Sequence, residues 1–372
     1  INMHGDLALL ASNQYSKAKR LNPAVCGSGL FMEAIEQNPV YYELAFEMPC
    51  HPDSIDLRAW LKQYATRRYG AFSPATQKAW MLLLEGPYRQ GTNGTEKSSI
   101  VAARPALDVK KSGPNAGLEI PYDPALIIRA QSLLLEDADK LSAFRPYRFD
   151  LVDVQRQMMT NLGQLIHRKA AEAFRSKDRE AFTLHSGRFL GMLADMDTLL
   201  RTRSEYSFDR WLTEARSWGE TEEEKNQMER DATSLVTIWG ADGDPRIFDY
   251  SWREWAGLIN GYYLPRWQKF YTMLQQHLDE GTSYEEAGLP QIYGREAFRA
   301  NDFYHALAEW ELSYVDTYGK ARNPATEGDE IDIVKRLFKK YFKLSQEYYT
   351  DSIKLIKPSR DERTYENLGE DL

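Results

Sequence analysis

Cysteine, long apolar runs and blocks of basic residues are nearly or wholly missing from this chain. Cys26 and Cys50 are the only thiols, so at most one bridge can form, and their spacing matches no metal pattern. Two free, buried thiols are the expected state. No apolar run approaches the roughly 18 residues that a membrane-spanning helix needs. The net charge of −8, with no basic cluster, argues against a nucleic-acid partner or an anionic membrane surface. The sequence also has no Gly-rich phosphate loop, no His-Glu-x-x-His and no Gly-x-Ser-x-Gly, so no cofactor or metal is implied. The six histidines are scattered, and His167 and His185 fall within helical patterns, as satisfied helix residues do.

Aromatics and acids are abundant instead. The chain carries 22 Tyr, 15 Phe and 9 Trp among 372 residues, a supply that serves either a large helical core or sugar-stacking platforms, with the core the favoured use. Carboxylates beside aromatics are the usual equipment of a glycosidase.

The organisation changes near residue 50. Before it, a helix over Asp6–Arg20 leads through Asn22-Pro23 to a short strand ending at Cys26. Gly27-Ser28-Gly29 follow, then Glu33, and a second helix starts at about Glu36. A strand that ends in glycines and delivers one acid at a turn is how barrel enzymes present a catalytic group. One such βα unit cannot close a sheet, so the chain is expected to be the C-terminal part of something longer. After residue 50 only helices are expected. Pro52-Asp53-Ser54 starts one that Gly70 stops, Ser73-Pro74 starts the next, and further helices run at 123–141, 150–175, 178–201, 207–218, 221–238, 251–278, 294–315 and 329–349. Residues 91–122 read as a long functional or mobile loop, and residues 239–245 as a turn cluster. The expected fold is mainly α: the end of a (β/α)8 barrel over 1–50, an all-α domain over 51–357, and a charged tail over 358–372.

The stretch Gly27-Ser28-Gly29-Leu30, Glu33-Ala34-Ile35, Gln37-Asn38, Val40 and Tyr42 resembles the segment around the second catalytic glutamate of the α-N-acetylglucosaminidases, glycoside hydrolase family 89. Further similarities follow in the family's order: Trp60 with Ala65-x-Arg67-Arg68-Tyr69-Gly70, Arg104-Pro105, Arg148-Phe149-Asp150-Leu151-Val152-Asp153-Val154-x-Arg156-Gln157, Phe208 with Trp211-Leu212-x-Glu214-Ala215-Arg216, then Trp239-Gly240, Asp249-Tyr250 and Tyr262-Tyr263-x-Pro265-Arg266-Trp267. Each match is weak alone; the ordered series is specific.

The resemblance implies an exo-acting, retaining hydrolase that removes a terminal α-linked N-acetylglucosamine from heparan sulfate- or mucin-type glycans. Retention needs two carboxyls about 5–5.5 Å apart. By the match, Glu33 is the nucleophile, while the acid/base glutamate belongs to an earlier barrel strand that these residues do not contain. Glu36 and Glu43 have no counterpart role and read as helix-face acids. Trp239, Ile247 and Tyr250 match positions that line the sugar pocket, and His4 is expected in the pocket wall. The expected partners are a glycan ending in α-N-acetylglucosamine and the missing barrel portion, without which the chain is expected to be inactive. The family's members are secreted, periplasmic or lysosomal. A noncatalytic helical module that binds glycans or scaffolds another domain stands as the alternative reading of the same residues.

Overall fold

A computed structural model of the chain describes residues 3–31, 38–89, 97–113, 117–239, 248–286, 301–317, 319–320 and 324–349. Among them the architecture is all-α, without a strand; the one β-type contact is an isolated bridge between Ser207 and Ala256.

The N-terminal part departs from the sequence expectation in two places. The helix expected over 6–20 is broken into α1 (Leu7–Ala11) and α2 (Gln14–Leu21) by Asn13, whose backbone is left-handed at φ 57°. Asn13 Oδ1 accepts from the Ser16 amide at 3.0 Å, and its Nδ2 lies 2.9–3.2 Å from the carbonyls of Met48, His51 and Asp53. One side chain thus caps a helix and ties down a loop, a gain that straight helix would forgo. The strand expected through Cys26 is not formed. Residues 22–31 are irregular and mostly exposed, because no described segment offers a sheet edge to their backbone groups. Cys26 and Cys50 are free, as expected, but exposed rather than buried. The next helix, α3 (Pro39–Glu47), begins at a proline, whose fixed φ suits the first helical position.

Beyond residue 50 the helices follow local chemistry. α4 (Leu57–Tyr69) is capped by Asp56, later than the expected 52–54 start, and ends at left-handed Gly70. A methyl group on Gly70 would meet the Phe144 ring at 2.3 Å, so this glycine answers both a backbone and a packing demand. Ser73 caps α5 (Pro74–Glu85). α6 (Ala125–Glu136) and α7 (Ala138–Leu141) share the helix expected over 123–141, interrupted at Asp137. The long α8 (Arg145–Arg175) spans about 46 Å at 1.5 Å per residue. α9 (Arg179–Leu200) packs closely on it; at Gly163 an added Cβ would strike Met192 Cε at 2.6 Å. α10 (Phe208–Arg216) is followed by α11 (Glu222–Val236), which opens with a complete capping box from Thr221 and Glu224. A π-turn at Ile259–Tyr263 leads into α12 (Leu264–Glu280), and α13 (Asp302–Asp316) and α14 (Glu330–Tyr348) follow.

α8 is the spine, with α6, α9 and α14 packed around it. Its buried face includes Leu151, Val154, Met158, Leu162 and Ile166, but also ionic groups. Arg68 Nε and Nη2 grip Asp150 at 2.6 and 2.8 Å, and Tyr69 Oη adds a bond at 2.7 Å. Arg156, wholly buried, joins Asp153 and Glu254, while Thr160 and Ser99 donate to Glu254 at 2.8 and 2.5 Å. Each of these buried charges is therefore paired, as desolvation demands. The core is continuous: Met3, Leu7, Val40, Leu44 and Met48 from the first 50 residues belong to the same cluster as Leu162, Trp267 and Tyr341. Most of the aromatic supply is spent here, consistent with the core reading.

The described part of the expected loop, residues 97–113 and 117–122, is indeed non-helical, but residues 98–107 are core rather than surface. Ile100, Val101, Ala102, Ala103 and Ala106 are buried. Their backbone groups are answered by long-range side chains: Arg266 donates to the Ala102 carbonyl at 2.7 Å, Tyr304 Oη to the Pro105 carbonyl at 2.9 Å, and the Leu107 amide to Glu286. Small apolar residues permit this close burial, and the side-chain partners remove its polar cost.

Candidate functional site

Glu33 and Ile247, two of the five expected site residues, lie outside the described residues, and so does Glu36. The other three can be placed.

His4 is half-buried and its main chain is held on both sides. The preceding Met3 amide donates to Gln157 Oε1 at 2.8 Å, and Asn38 Nδ2 donates to the His4 carbonyl at 2.7 Å, with Tyr88 Oη donating to Asn38 Oδ1 at 3.1 Å. Gln157 in turn donates to Asn161, and Asn161 to Tyr122, so a row of amides on α8 fixes the start of the chain. Gly5 follows with φ 139°, and an added Cβ there would meet the Tyr41 ring at 2.6 Å. His4 lines a cleft with Lys97, Tyr122, Gln157, Asn161 and Gln164. The space is about 30 Å³, enough for a water molecule or two but not for a sugar ring. Gln157 and Asn38 are within the motifs that carry the family resemblance, yet nothing in their spacing announces that they hold Met3 and His4.

Trp239 and Tyr250 are brought together. Their ring centroids lie 4.9 Å apart with the planes inclined at 54°, and both rings remain half-buried rather than sealed in the core. Neither lines the His4 cleft. The arrangement is built by α11 and the segment after it. The Trp239 amide donates back to Ser234 at 2.6 Å, ending α11 sharply, and the Asp249 amide donates to Thr237 at 2.7 Å, closing the segment on itself. Phe248, next to Asp249, is buried against Ile238, Ala308 and Val315. Tyr250 is thus delivered from a fixed root to the side of Trp239.

That root is ionic. Arg266 Nη1 donates to both Asp249 oxygens at 3.2 and 2.9 Å and to Glu311 Oε1 at 3.0 Å, and all three side chains are fully buried. Burial pushes the Asp249 carboxyl up to about 6, with Arg266 pulling against it. Asp249 was visible in the sequence only as the neighbour of Tyr250; its partners are remote in sequence and carry no local signal.

A rim aromatic with a neighbouring phenol can stack on the apolar face of a sugar and bond its hydroxyls. Cleavage of a glycosidic bond additionally needs the carboxylate pair, one member of which the resemblance assigns to Glu33.

The described chain is thus an all-α helical domain with a braced aromatic pair at its edge. A family model described as the alpha-N-acetylglucosaminidase (NAGLU) C-terminal domain matches residues 60–340, and the chain belongs to that family. The human α-N-acetylglucosaminidase is 32% identical over 344 residues, 90% of this chain and 43% of its own length. The solved family 89 glycoside hydrolase from Clostridium perfringens, bound to PUGNAc, superposes over 91% of this chain and 38% of its own with a TM-score of 0.80 at 26% identity. The Clostridium perfringens protein with two glutamates replaced by glutamine, bound to its substrate GlcNAc-α-1,4-galactose, gives the same TM-score at 25% identity over 93% of this chain. The chain therefore spans less than half the length of these relatives.

Proposed function

We propose that this chain is the C-terminal part of an exo-acting, retaining α-N-acetylglucosaminidase, in which residues 1–50 complete a catalytic (β/α)8 barrel and the helical remainder closes one side of the sugar pocket. The observation that carries the proposal is the braced Trp239–Tyr250 pair, standing at the rim of a chain that belongs to this family. Glu33 is the nucleophile, attacking the anomeric carbon to give a glycosyl-enzyme that water then hydrolyses. The acid/base carboxyl comes from the barrel portion upstream. The replacement of two glutamates in the substrate-bound relative supports a two-glutamate mechanism here.

Trp239, Ile247 and Tyr250 bind the terminal sugar. His4, whose cleft has room for no more than a water molecule or two, serves as wall rather than ligand subsite. The substrates are glycans ending in α-N-acetylglucosamine, of heparan sulfate or mucin type, and the compartment is extracellular or periplasmic in a bacterium and lysosomal in a eukaryote.

The experiment is hydrolysis of an aryl α-N-acetylglucosaminide by the complete enzyme and by its Glu33→Gln variant. Loss of at least about a thousandfold in kcat is expected for removal of a covalent nucleophile. Near-normal hydrolysis by the variant would sink the assignment. Turnover by these 372 residues alone would sink the proposed need for a second carboxyl upstream.

A further inference from the structure

Among the described residues, four that are not glycine have left-handed backbone, and two of them, Trp239 at φ 50° and Asp249 at φ 56°, bound a single segment. A bulky tryptophan disfavours this conformation strongly, and strained backbone persists only where its surroundings enforce it. The enforcing contacts are specific. Both residues return their amides to the end of α11, at Ser234 and Thr237. The backbone of residues 97–113 closes from another side, where an added Cβ on Gly113 would come 3.0 Å from the Asp249 carbonyl. The Asp249 carboxylate takes Arg266, which also holds Glu311 at 3.0 Å, and Arg104 Nη2 lies 3.4 Å from the other Glu311 oxygen.

Two cations and two anions thus form a neutral cluster, no member more than 5% exposed, and Asp249 carries it to the residue next to Tyr250. An apolar cluster of similar volume would hold helices together at least as well, so a buried ion cluster is weak evidence for stability alone. It does fix one backbone geometry, because each charge permits few arrangements of its partners.

We propose that Asp249, held by Arg266 and Glu311, is a positioning residue that locks the backbone so that Trp239 and Tyr250 present their rings together to a terminal sugar. The proposal rests on the glycosidase reading above. Asp249 acts through its covalent neighbour Tyr250 and through the hydrogen bond to Thr237, and it does not touch the glycan.

The test is Asp249→Asn in the complete enzyme. Asn accepts left-handed backbone as readily as Asp, so the change removes the charge and keeps the conformational preference. With an aryl α-N-acetylglucosaminide, KM is expected to rise about tenfold while kcat stays within about threefold, the pattern of lost uniform binding. Glu311→Gln leaves the Asp249–Arg266 pair in place and should raise KM about threefold, and it decides the matter if Asp249→Asn does not fold. A second readout is the emission of Trp239, isolated by subtracting the spectrum of the matching Trp239→Phe protein; it should shift in Asp249→Asn as the ring leaves Tyr250.

An unchanged KM overturns the proposal whatever the emission does. A fall in kcat at constant KM also overturns it, because that assigns Asp249 to the chemistry. If the parent enzyme does not turn over the substrate, the glycosidase reading falls, and the Trp239 emission still decides whether Asp249 sets the ring pair.

Discussion

His167 should make the protein weaker in mild acid by an amount that can be worked out. It lies on α8 at 4% exposure, with its ring 4.8 Å from that of Trp267 and 5.9 Å from that of Phe189, and with Nδ1 2.9 Å from Tyr271 Oη. Burial among these rings lowers the imidazole from 6.5 to about 4; the nearby carbonyls of Leu107 and Ala106 favour the cation but lie outside hydrogen-bonding geometry, and they only moderate the effect. The folded value is the lower one, so the unfolded chain takes the proton first. Stability contributed by the neutral ring is complete above 6.5 and is lost as pH falls toward 4. At about pH 4.5 the unfolded ring is almost wholly protonated and the folded ring only about one quarter, which corresponds to a loss of about 2.5 kcal/mol relative to pH 7.

Asp249 tilts the other way. Its carboxyl is raised to about 6, so the folded chain binds that proton first and stability rises as pH falls from 6 toward 4. The informative quantity is therefore the difference between parent and His167→Asn, in which the Asp249 contribution cancels. Urea unfolding of both proteins at about pH 7 and about pH 4.5 should show the parent losing about 2.5 kcal/mol more than the variant between the two conditions. Equal losses in the two proteins would refute the argument, as would an NMR titration that finds His167 ionising near 6.5.

Two further changes test the fold. Gly70→Ala combines left-handed strain with a methyl 2.3 Å from the Phe144 ring and should cost about 2–4 kcal/mol in denaturant unfolding. Adding Phe144→Leu should recover the steric part only, and full recovery would show that the backbone conformation carries no cost. Asn13→Ala should lose about 3 kcal/mol, from the missing cap on α2, the left-handed backbone and the stranded carbonyls of Met48, His51 and Asp53. Asn13→Gly should lose about 1 kcal/mol less than Asn13→Ala by the same measurement, because glycine removes the backbone strain.

What the sequence revealed of the fold was what neighbouring residues decide. Ser73 before Pro74 and Gly70 after α4 are signals confined to a turn of helix, and each falls where the sequence reading put it; the helices expected from 178 and 221 also start there, at the caps Asp178 and Thr221. The errors occur where remote partners intervene. Asn13 breaks a helix that its neighbours would continue, because carbonyls beyond α3 reward it. The loop expected over 91–122 is non-helical where described, but its residues 98–107 are buried, because Arg266, Tyr304 and Glu286 answer their backbone from far along the chain. The strand expected at Cys26 shows the same dependence in reverse: its local pattern is apolar, and no strand among the described residues is there to accept it.

The site divides along the same line. Trp239 and Tyr250 were singled out by resemblance, and the structure brings their rings into contact. Periodicity alone would have placed both as core aromatics at helix ends. Asp249 and Arg266 stood only as members of separate family motifs, and nothing joined them to each other or to Glu311, since each reads locally as an ordinary charged residue.

The shared core bears on how this protein can be cut. The family model begins at residue 60, and a shortened protein starting there would look natural on paper. It would strip Leu7, Val40, Leu44 and Met48 from a cluster in which each is at most 3% exposed, and remove the main-chain grip of Met3 on Gln157. The wound would be a greasy face on α4 and α8, where α1, α3 and the chain start now lie. Such a truncation should be prone to stick to itself, and a proteolytic nick before residue 50 should leave the released piece docked.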